Sequence, residues 1–259
     1  MITSSGNAQV KNVIQLNTKG KARNKQGLFV VEGIKMFREA PADWISKVYI
    51  RESLYEDGDW KQELEAVPHE VVADSVFRQM SDTMTPQGIL TVLRQPHYEW
   101  KDFTGNASPL LVVLEDLQDP GNLGTILRTS EGAGVDGILL SKGCVDIFNP
   151  KTIRSTMGSI YRMPFLYVDN MTELMEKLKE EHICTYAAHL KGKNFYDQED
   201  YQGGTAFLIG NEGNGLSEEL SGMSECLIRI PMAGKVESLN AAMACGILTY
   251  EASRQRRNA

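Results

Sequence analysis

Along the chain, short apolar runs alternate with stretches in which apolar residues recur every three or four positions. The first pattern marks strands and the second marks helices. In the N-terminal third it predicts helices near residues 7–17, 33–40, 59–66 and 74–80. Strands are predicted at Leu28–Val31, Lys47–Ile50, Glu70–Val72 and Ile89–Leu93, which makes a small α/β/α unit of residues 1–95. Residues 96–108 hold Pro96, Gly105, Asn106 and Ser108 without a clear period, and are expected to form a linker.

The alternation resumes at residue 109 with Leu110-Leu111-Val112-Val113-Leu114, an unbroken apolar run typical of a strand covered on both faces. Further strands are predicted at Gly137–Ser141, Phe165–Val168, Ile183–Ala188, Ala206–Gly210 and Leu227–Ile230. Helices are expected near 123–133, 150–159, 171–181, 217–222 and 238–255. The implied class is α/β, a mostly parallel sheet with helices on both faces and ligand sites at the carboxyl ends of its strands. In the last helix Leu239, Ala242, Met243, Gly246, Ile247 and Tyr250 share an apolar face. Ser238 and Asn240, at its start, do not belong to that face and need another explanation.

The chain has 259 residues, enough for one large or two modest domains. A hydrophobic content of 42% with 24% charged residues is that of a soluble globular protein. No run approaches the roughly 18 apolar residues of a membrane span, and the N-terminus lacks a basic-then-apolar signal. Cys144, Cys184, Cys226 and Cys245 are widely spaced, without a C-x-x-C pair, so reduced thiols in a cytoplasmic protein are expected. His69, His97, His182 and His189 show no metal-ligand spacing, and no metal site is expected.

A net charge of −7 argues against a nucleic-acid partner, but its distribution alters that picture. Residues 1–95 hold 12 Lys/Arg and 12 Asp/Glu, so the excess acid lies in the second half. Within residues 1–35, Lys11, Lys19, Lys21, Arg23, Lys25 and Lys35 stand against Glu32 alone. That segment would attract a polyanion, although a solvated surface can carry the same run.

Three segments that follow predicted strands carry candidate chemistry. The first is Asp116-Leu117-Gln118-Asp119-Pro120-Gly121-Asn122, with Asn122 as the expected helix N-cap and Arg128 on the second helical turn. The second is Gly210-Asn211-Glu212-Gly213-Asn214-Gly215, whose glycines let backbone approach a ligand closely. It lacks the G-K-[ST] ending of a nucleotide-phosphate loop, and Ser217, Glu218 and Glu219 after it fit a helix start. The third is Ile230-Pro231-Met232-Ala233-Gly234…Ser238-Leu239-Asn240, a Pro/Gly bend leading into the last helix. None supplies G-x-G-x-x-G, so a nicotinamide enzyme would rest on fold analogy alone.

Taken in this order, Asn122…Arg128, Gly210-Asn211-Glu212-x-x-Gly215-Leu216 and Ile230-Pro231-Met232-x-Gly234…Ser238-Leu239-Asn240 resemble the three motifs of the SpoU (TrmH) family of RNA ribose 2'-O-methyltransferases. The resemblance covers about residues 108–255. Residues 1–95 resemble the ribosomal-protein-like (L30e-like) substrate-binding domain of many members, through Lys21-x-Arg23, Phe29–Gly33 and Pro86-Gln87-Gly88.

The resemblance implies an RNA-binding domain of residues 1–95, a linker of 96–108 and a SPOUT-type methyltransferase domain of 109–259 with a C-terminal trefoil knot. It implies S-adenosylmethionine as cofactor and a homodimer whose active site is completed near the subunit interface. By position Asn122, Arg128, Glu212, Ser238 and Asn240 match the polar active-site residues. Leu208, Gly210, Asn211, Gly215, Ile230, Met232, Ser238 and Leu239 match the cofactor pocket. Lys11, Lys19, Lys21, Arg23, Lys25 and Arg154 are the candidate RNA contacts. Two positions depart from the family pattern: Asn240 is followed by Ala241-Ala242 where Val-Ser is frequent, and Thr156 stands where Ser is frequent. The implied substrate is structured RNA, with 23S rRNA favoured over tRNA by the N-terminal domain. A non-catalytic ribosome-assembly factor of the same fold is the alternative, and the intact polar set speaks against it.

Overall fold

The computed structural model describes residues 1–58 and 60–257, which fall into two compact units. One comprises Met1–His97 with Asp146–Tyr161, and the other Tyr98–Val145 with Arg162–Ala259.

In the first unit the order is α1 (Ala8–Thr18), α2 (Gly20–Gln26), β1 (Leu28–Glu32), α3 (Ile34–Arg38), β2 (Ile45–Arg51), α4 (Glu52–Asp57), α5 (Lys61–Glu65), β3 (His69–Val72), α6 (Asp74–Met80) and β4 (Ile89–Arg94). The four strands form one sheet in the order β1-β4-β2-β3, with β2 and β3 parallel and the other pairs antiparallel. Val10, Val13 and Leu16 of α1 and Val76, Phe77 and Met80 of α6 cover one sheet face, against Val30, Tyr49, Leu90 and Val92. The short helices α2 and α4 were not expected, being too brief to show a period.

Arg23 does not act as a surface RNA contact. It is 4% exposed, and its guanidinium donates to Asp146 at 2.6 and 2.9 Å and to the Leu16 carbonyl at 2.6 Å. A charge buried this far needs such partners, so Arg23 holds α2 in place. By contrast Lys11, Lys19, Lys21 and Lys25 are exposed, and none is ion-paired among the described residues. Arg154, on α8 (Pro150–Thr156), pairs with Asp82 at 2.6 Å and is partly exposed.

The second unit contains β5 (Leu110–Leu114), α7 (Pro120–Ala133), β6 (Gly137–Ser141), β7 (Phe165–Val168), α9 (Met171–Glu180), β8 (Cys184–Ala188), β9 (Asn194–Phe195), β10 (Thr205–Ile209), α10 (Glu218–Met223), β11 (Cys226–Arg229) and α11 (Ala241–Arg257). The α/β class with a parallel sheet is as expected: seven strands run β7-β6-β5-β10-β8-β11-β9, every pair parallel. The central strands β5, β6 and β10 are buried at every position, which is why they read as continuous apolar runs. The linker read into residues 96–108 is packed rather than extended. Trp100–Asp102 forms a 3₁₀ turn, and Phe103 is fully buried on Gly137, where a Cβ would meet its ring at 2.2 Å.

Leu208 belongs to the buried core with Leu111, Val113, Leu139 and Ala187. Truncating a buried leucine costs the transfer energy and leaves a cavity. Leu208→Ala is therefore expected to destabilise the unit by about 2–5 kcal/mol, measured by urea unfolding. Among the described residues no helix is long and apolar enough to cross a membrane. All four cysteines are free thiols; Cys144 and Cys245 are buried, and burial pushes the Cys245 thiol up to about 12.

Candidate functional site

Because the sheet is parallel, the loops leaving β5, β8, β10 and β11 emerge on its carboxyl edge. After β5 the chain turns sharply. Asp116 adopts φ 52°, a region few non-glycine residues occupy, and its carboxylate accepts from the Ser141 hydroxyl at 2.6 Å. Asp119, not Asn122, caps α7: its carboxylate accepts from the Asn122 N–H at 2.8 Å, and Pro120 fills the first helical position. The proline decides this, since its fixed φ and missing N–H suit that place.

Asn122 is thereby freed for longer reach. Its side-chain NH2 donates to Glu212 Oε1 at 3.0 Å, and its Oδ1 accepts from the Asn240 amide at 2.9 Å. Glu212 also accepts from the Gln118 and Asp119 N–H groups, each at 3.0 Å. Asn240 Oδ1 caps α11, accepting from the N–H groups of Ala242 at 2.9 Å and Met243 at 3.3 Å. One line of hydrogen bonds thus joins the three segments singled out in the sequence. It also corrects the expected start of the last helix: Ser238 and Asn240 precede it, since α11 begins at Ala241.

The loop after β10 closes on itself. Asn211 and Gly215 exchange backbone hydrogen bonds of 2.9 and 3.1 Å, and Asn211 Oδ1 accepts from the Gly213 and Asn214 N–H groups. Closure brings Gly215 and Leu216 onto Gly210 so tightly that a Cβ there would lie 2.1 Å from the Gly215 carbonyl carbon.

These loops enclose a cavity of about 560 Å³. Gly210, Asn211, Glu212, Gly215, Ile230, Met232, Ser238, Leu239 and Asn240 all line it. Leu208 does not; its neighbour Ile209 does, because alternate residues of a strand face opposite sides. Arg128 does not line it either. Six positions beyond Asn122 it lies about 120° round the helix, exposed and without a polar partner among the described residues. Sequence reasoning missed the wall formed by Ala188, His189, Leu190 and Lys191, and also Glu237. The signal for the first four was available: they end or follow β8, whose carboxyl end shares the same edge.

Burial alone would raise the carboxyl of Glu212, but the hydrogen bonds from Asn122, Gln118 and Asp119 outweigh it and hold the group below the usual range. A depressed carboxylate contributes fully above its unfolded value near 4.3 and loses that contribution as pH falls through the lower folded value. The stability of the catalytic unit is therefore expected to keep this contribution from neutral pH down to about 4.5 and to lose it progressively below that. Glu212→Gln should flatten that loss; thermal unfolding across the range measures both.

The sequence profile of the SpoU rRNA Methylase family matches residues 109–250, and that of the MRM3-like substrate binding domain matches residues 7–91. The chain is 31% identical to the 23S rRNA (guanosine(2553)-2'-O)-methyltransferase RlmP of Bacillus subtilis, over 96% of this chain and 97% of that protein. An AdoMet-bound rRNA methyltransferase from Sinorhizobium meliloti superposes with a TM-score of 0.84 at 32% identity, covering 98% of this chain and 97% of that one. The SpoU methyltransferase AviRb from Streptomyces viridochromogenes, in complex with AdoMet, superposes with a TM-score of 0.88 at 26% identity, covering 98% and 99%.

Proposed function

The chain belongs to the SpoU rRNA methylase family, and from that premise we propose that it transfers a methyl group from S-adenosylmethionine to a ribose 2'-hydroxyl of 23S ribosomal RNA. The observation that carries this reading is the hydrogen-bond line from Glu212 through Asn122 to Asn240, which ties the first family motif to residues of the other two that line one cavity.

The cavity fits the cofactor. Its volume lies within the range of small-ligand sites, and Ile209, Ile230, Met232 and Leu239 offer apolar surface to a flat purine beside backbone polar groups. S-adenosylmethionine, when bound, supplies an electrophilic methyl group on a sulfonium. The chain's own residues then position the reactants, and the hydroxyl proton passes to solvent water. Gly210 and Gly215 let the loop backbone close on the ligand, while Glu212, Asn122 and Asn240 fix the loops relative to one another. Holding the reactants in line supplies much of the acceleration.

The ribose hydroxyl is a poor nucleophile, and its proton must leave or be strongly hydrogen-bonded during attack. A guanidinium has no lone pair to accept that proton. Arg128 is instead assigned to the neighbouring phosphate and the 2'-oxygen, where its charge stabilises the developing alkoxide. Ser238 orients the ribose.

RNA binding is assigned to residues 1–95, through Lys11, Lys19, Lys21 and Lys25, and to Arg154 on α8; residues 109–259 otherwise serve catalysis, with the C-terminal segment as a trefoil knot. Family membership supports the knot and the L30e-like character of the first domain. A homodimer is supported by the exposed Met243 and Tyr250 on α11, and by an Arg128 that does not line its own chain's cavity. The ribosomal substrate favours a cytoplasmic location. Incubation with tritiated S-adenosylmethionine and RNA from cells lacking the gene, followed by fractionation, tests the substrate. Label in 23S rRNA is expected. Label in tRNA would move the assignment, and none despite bound cofactor would make the protein a binding factor.

A further inference from the structure

The catalytic half of the chain carries the acidic excess, with 22 Asp/Glu against 15 Lys/Arg in residues 96–259. Against that background two cations, Lys191 and Arg229, line the cavity, and Lys193 lies two residues beyond the first. Lys191 and Lys193 follow β8, and Arg229 ends β11. All three are exposed, and none is ion-paired among the described residues.

The backbone that carries Lys191 is pinned, and the Arg229 side chain is stacked. The His189 N–H donates to the Ile228 carbonyl at 2.9 Å, and the Gly192 N–H donates to the His189 carbonyl at 3.0 Å. The Lys191 N–H donates to His189 Nδ1 at 3.1 Å. Gly192 is pressed so close to β11 that a Cβ would lie 2.6 Å from the Ile228 carbonyl carbon. Across the β9–β11 pair, the Arg229 guanidinium sits 4.7 Å from the centroid of the Phe195 ring. Lys191 and Arg229 line the cavity, as do the carboxylates Glu212 and Glu237, and Asp197 and Glu199 follow β9.

A solvated face in an acidic domain would interleave these cations with carboxylates at contact distance. Here a pinned turn and a stacked guanidinium present positive charge at the cavity wall that no carboxylate pairs among the described residues. We propose that Lys191, Lys193 and Arg229 form a phosphate-binding rim that grips the RNA backbone next to the target nucleotide. The proposal rests on the reading of the protein as an RNA methyltransferase, and it places RNA contacts on the catalytic unit besides those of the N-terminal lysines. Each phosphate neutralised by such a rim releases counterions, so the grip shows in the salt dependence of binding.

The test is filter binding of a radiolabelled 23S rRNA transcript to the cofactor-free full chain at several salt concentrations. The triple variant Lys191→Ala/Lys193→Ala/Arg229→Ala is expected to bind roughly 10- to 100-fold more weakly near 0.1 M salt, with a slope of log affinity against log salt shallower by about two to three. Arg229→Lys within the otherwise natural chain should keep most of the slope. The double variant Lys191→Ala/Lys193→Ala leaves Arg229 on Phe195 and guards against a fold defect; its slope should be shallower by about one to two. A wild-type slope in the folded double and triple variants overturns the proposal. So does a triple variant with the wild-type slope that loses affinity for S-adenosylhomocysteine but keeps it for 5'-methylthioadenosine, for the cations would then serve the cofactor's carboxylate. A wild-type chain that shows the full slope, loses it in the variants, yet transfers no methyl group would retain the rim and remove the methyltransferase reading.

Discussion

Arg128→Ala is expected to lose methyl transfer by roughly 10²- to 10³-fold, the usual effect of removing one donor from a developing oxyanion, while cofactor affinity stays within about twofold of the natural chain. The split follows from position. Arg128 lies off the cavity wall, exposed and without a polar partner among the described residues, so its removal takes nothing from the cofactor's surroundings. Under the proposed assignment, its charge acts only once RNA brings a phosphate and a 2'-oxygen to it. Single-turnover methylation with saturating RNA, paired with calorimetry for the cofactor, separates the two. Loss of cofactor affinity in Arg128→Ala would contradict the assignment.

Gly210→Ala is expected to abolish cofactor binding, by at least about 100-fold, and to destabilise the catalytic unit by about 3 kcal/mol or more. Overpacking a core costs about 1–3 kcal/mol where side chains can yield. Here the added methyl would meet main chain, at 2.1 Å from the Gly215 carbonyl carbon and 2.2 Å from the Leu216 nitrogen. The loop can accommodate it only by opening the Asn211–Gly215 bracket, and that bracket forms one side of the cavity. Gly222→Ala on α10 is the control: nothing lies within 4 Å of the added Cβ, and the change should be neutral or stabilising by up to about 1 kcal/mol. Thermal unfolding and calorimetry on both variants check the pair. Wild-type affinity in Gly210→Ala would mean that the cofactor lies elsewhere.

The strands of the parallel sheet were legible because burial on both faces leaves no polar residue to interrupt them, as in Leu110–Leu114. The same property hid which side each residue faces. Leu208 and Ile209 are equally apolar, and only the fold shows that the second faces the cavity. Asn122 and Asp119 are both good helix caps, and the choice between them turned on Pro120. Arg23 read as one more cation in a basic run, since its partner Asp146 is 123 residues away and no local pattern announces a buried ion pair. Phe103 lay in a stretch without period, yet it is fully buried, because a single aromatic ring packed on Gly137 needs no repeat to anchor it. Ser238 and Asn240 were visible as polar residues out of place at the mouth of an apolar helix. The structure accounts for Asn240 twice over, as the cap of α11 and as the donor to Asn122. Ser238 lies on the cavity wall.

The chemistry of the product tests the central claim most directly. A methyl group on a ribose 2'-oxygen removes the hydroxyl that attacks the adjacent phosphodiester in alkali, so the bond on its 3' side survives hydrolysis. Transfer of tritium from S-adenosylmethionine to 23S rRNA, followed by complete alkaline hydrolysis and chromatography, should place the label in alkali-stable dinucleotides. Label in mononucleotides, which would mark a methylated base, or no transfer at all by a chain that binds the cofactor, would contradict the account.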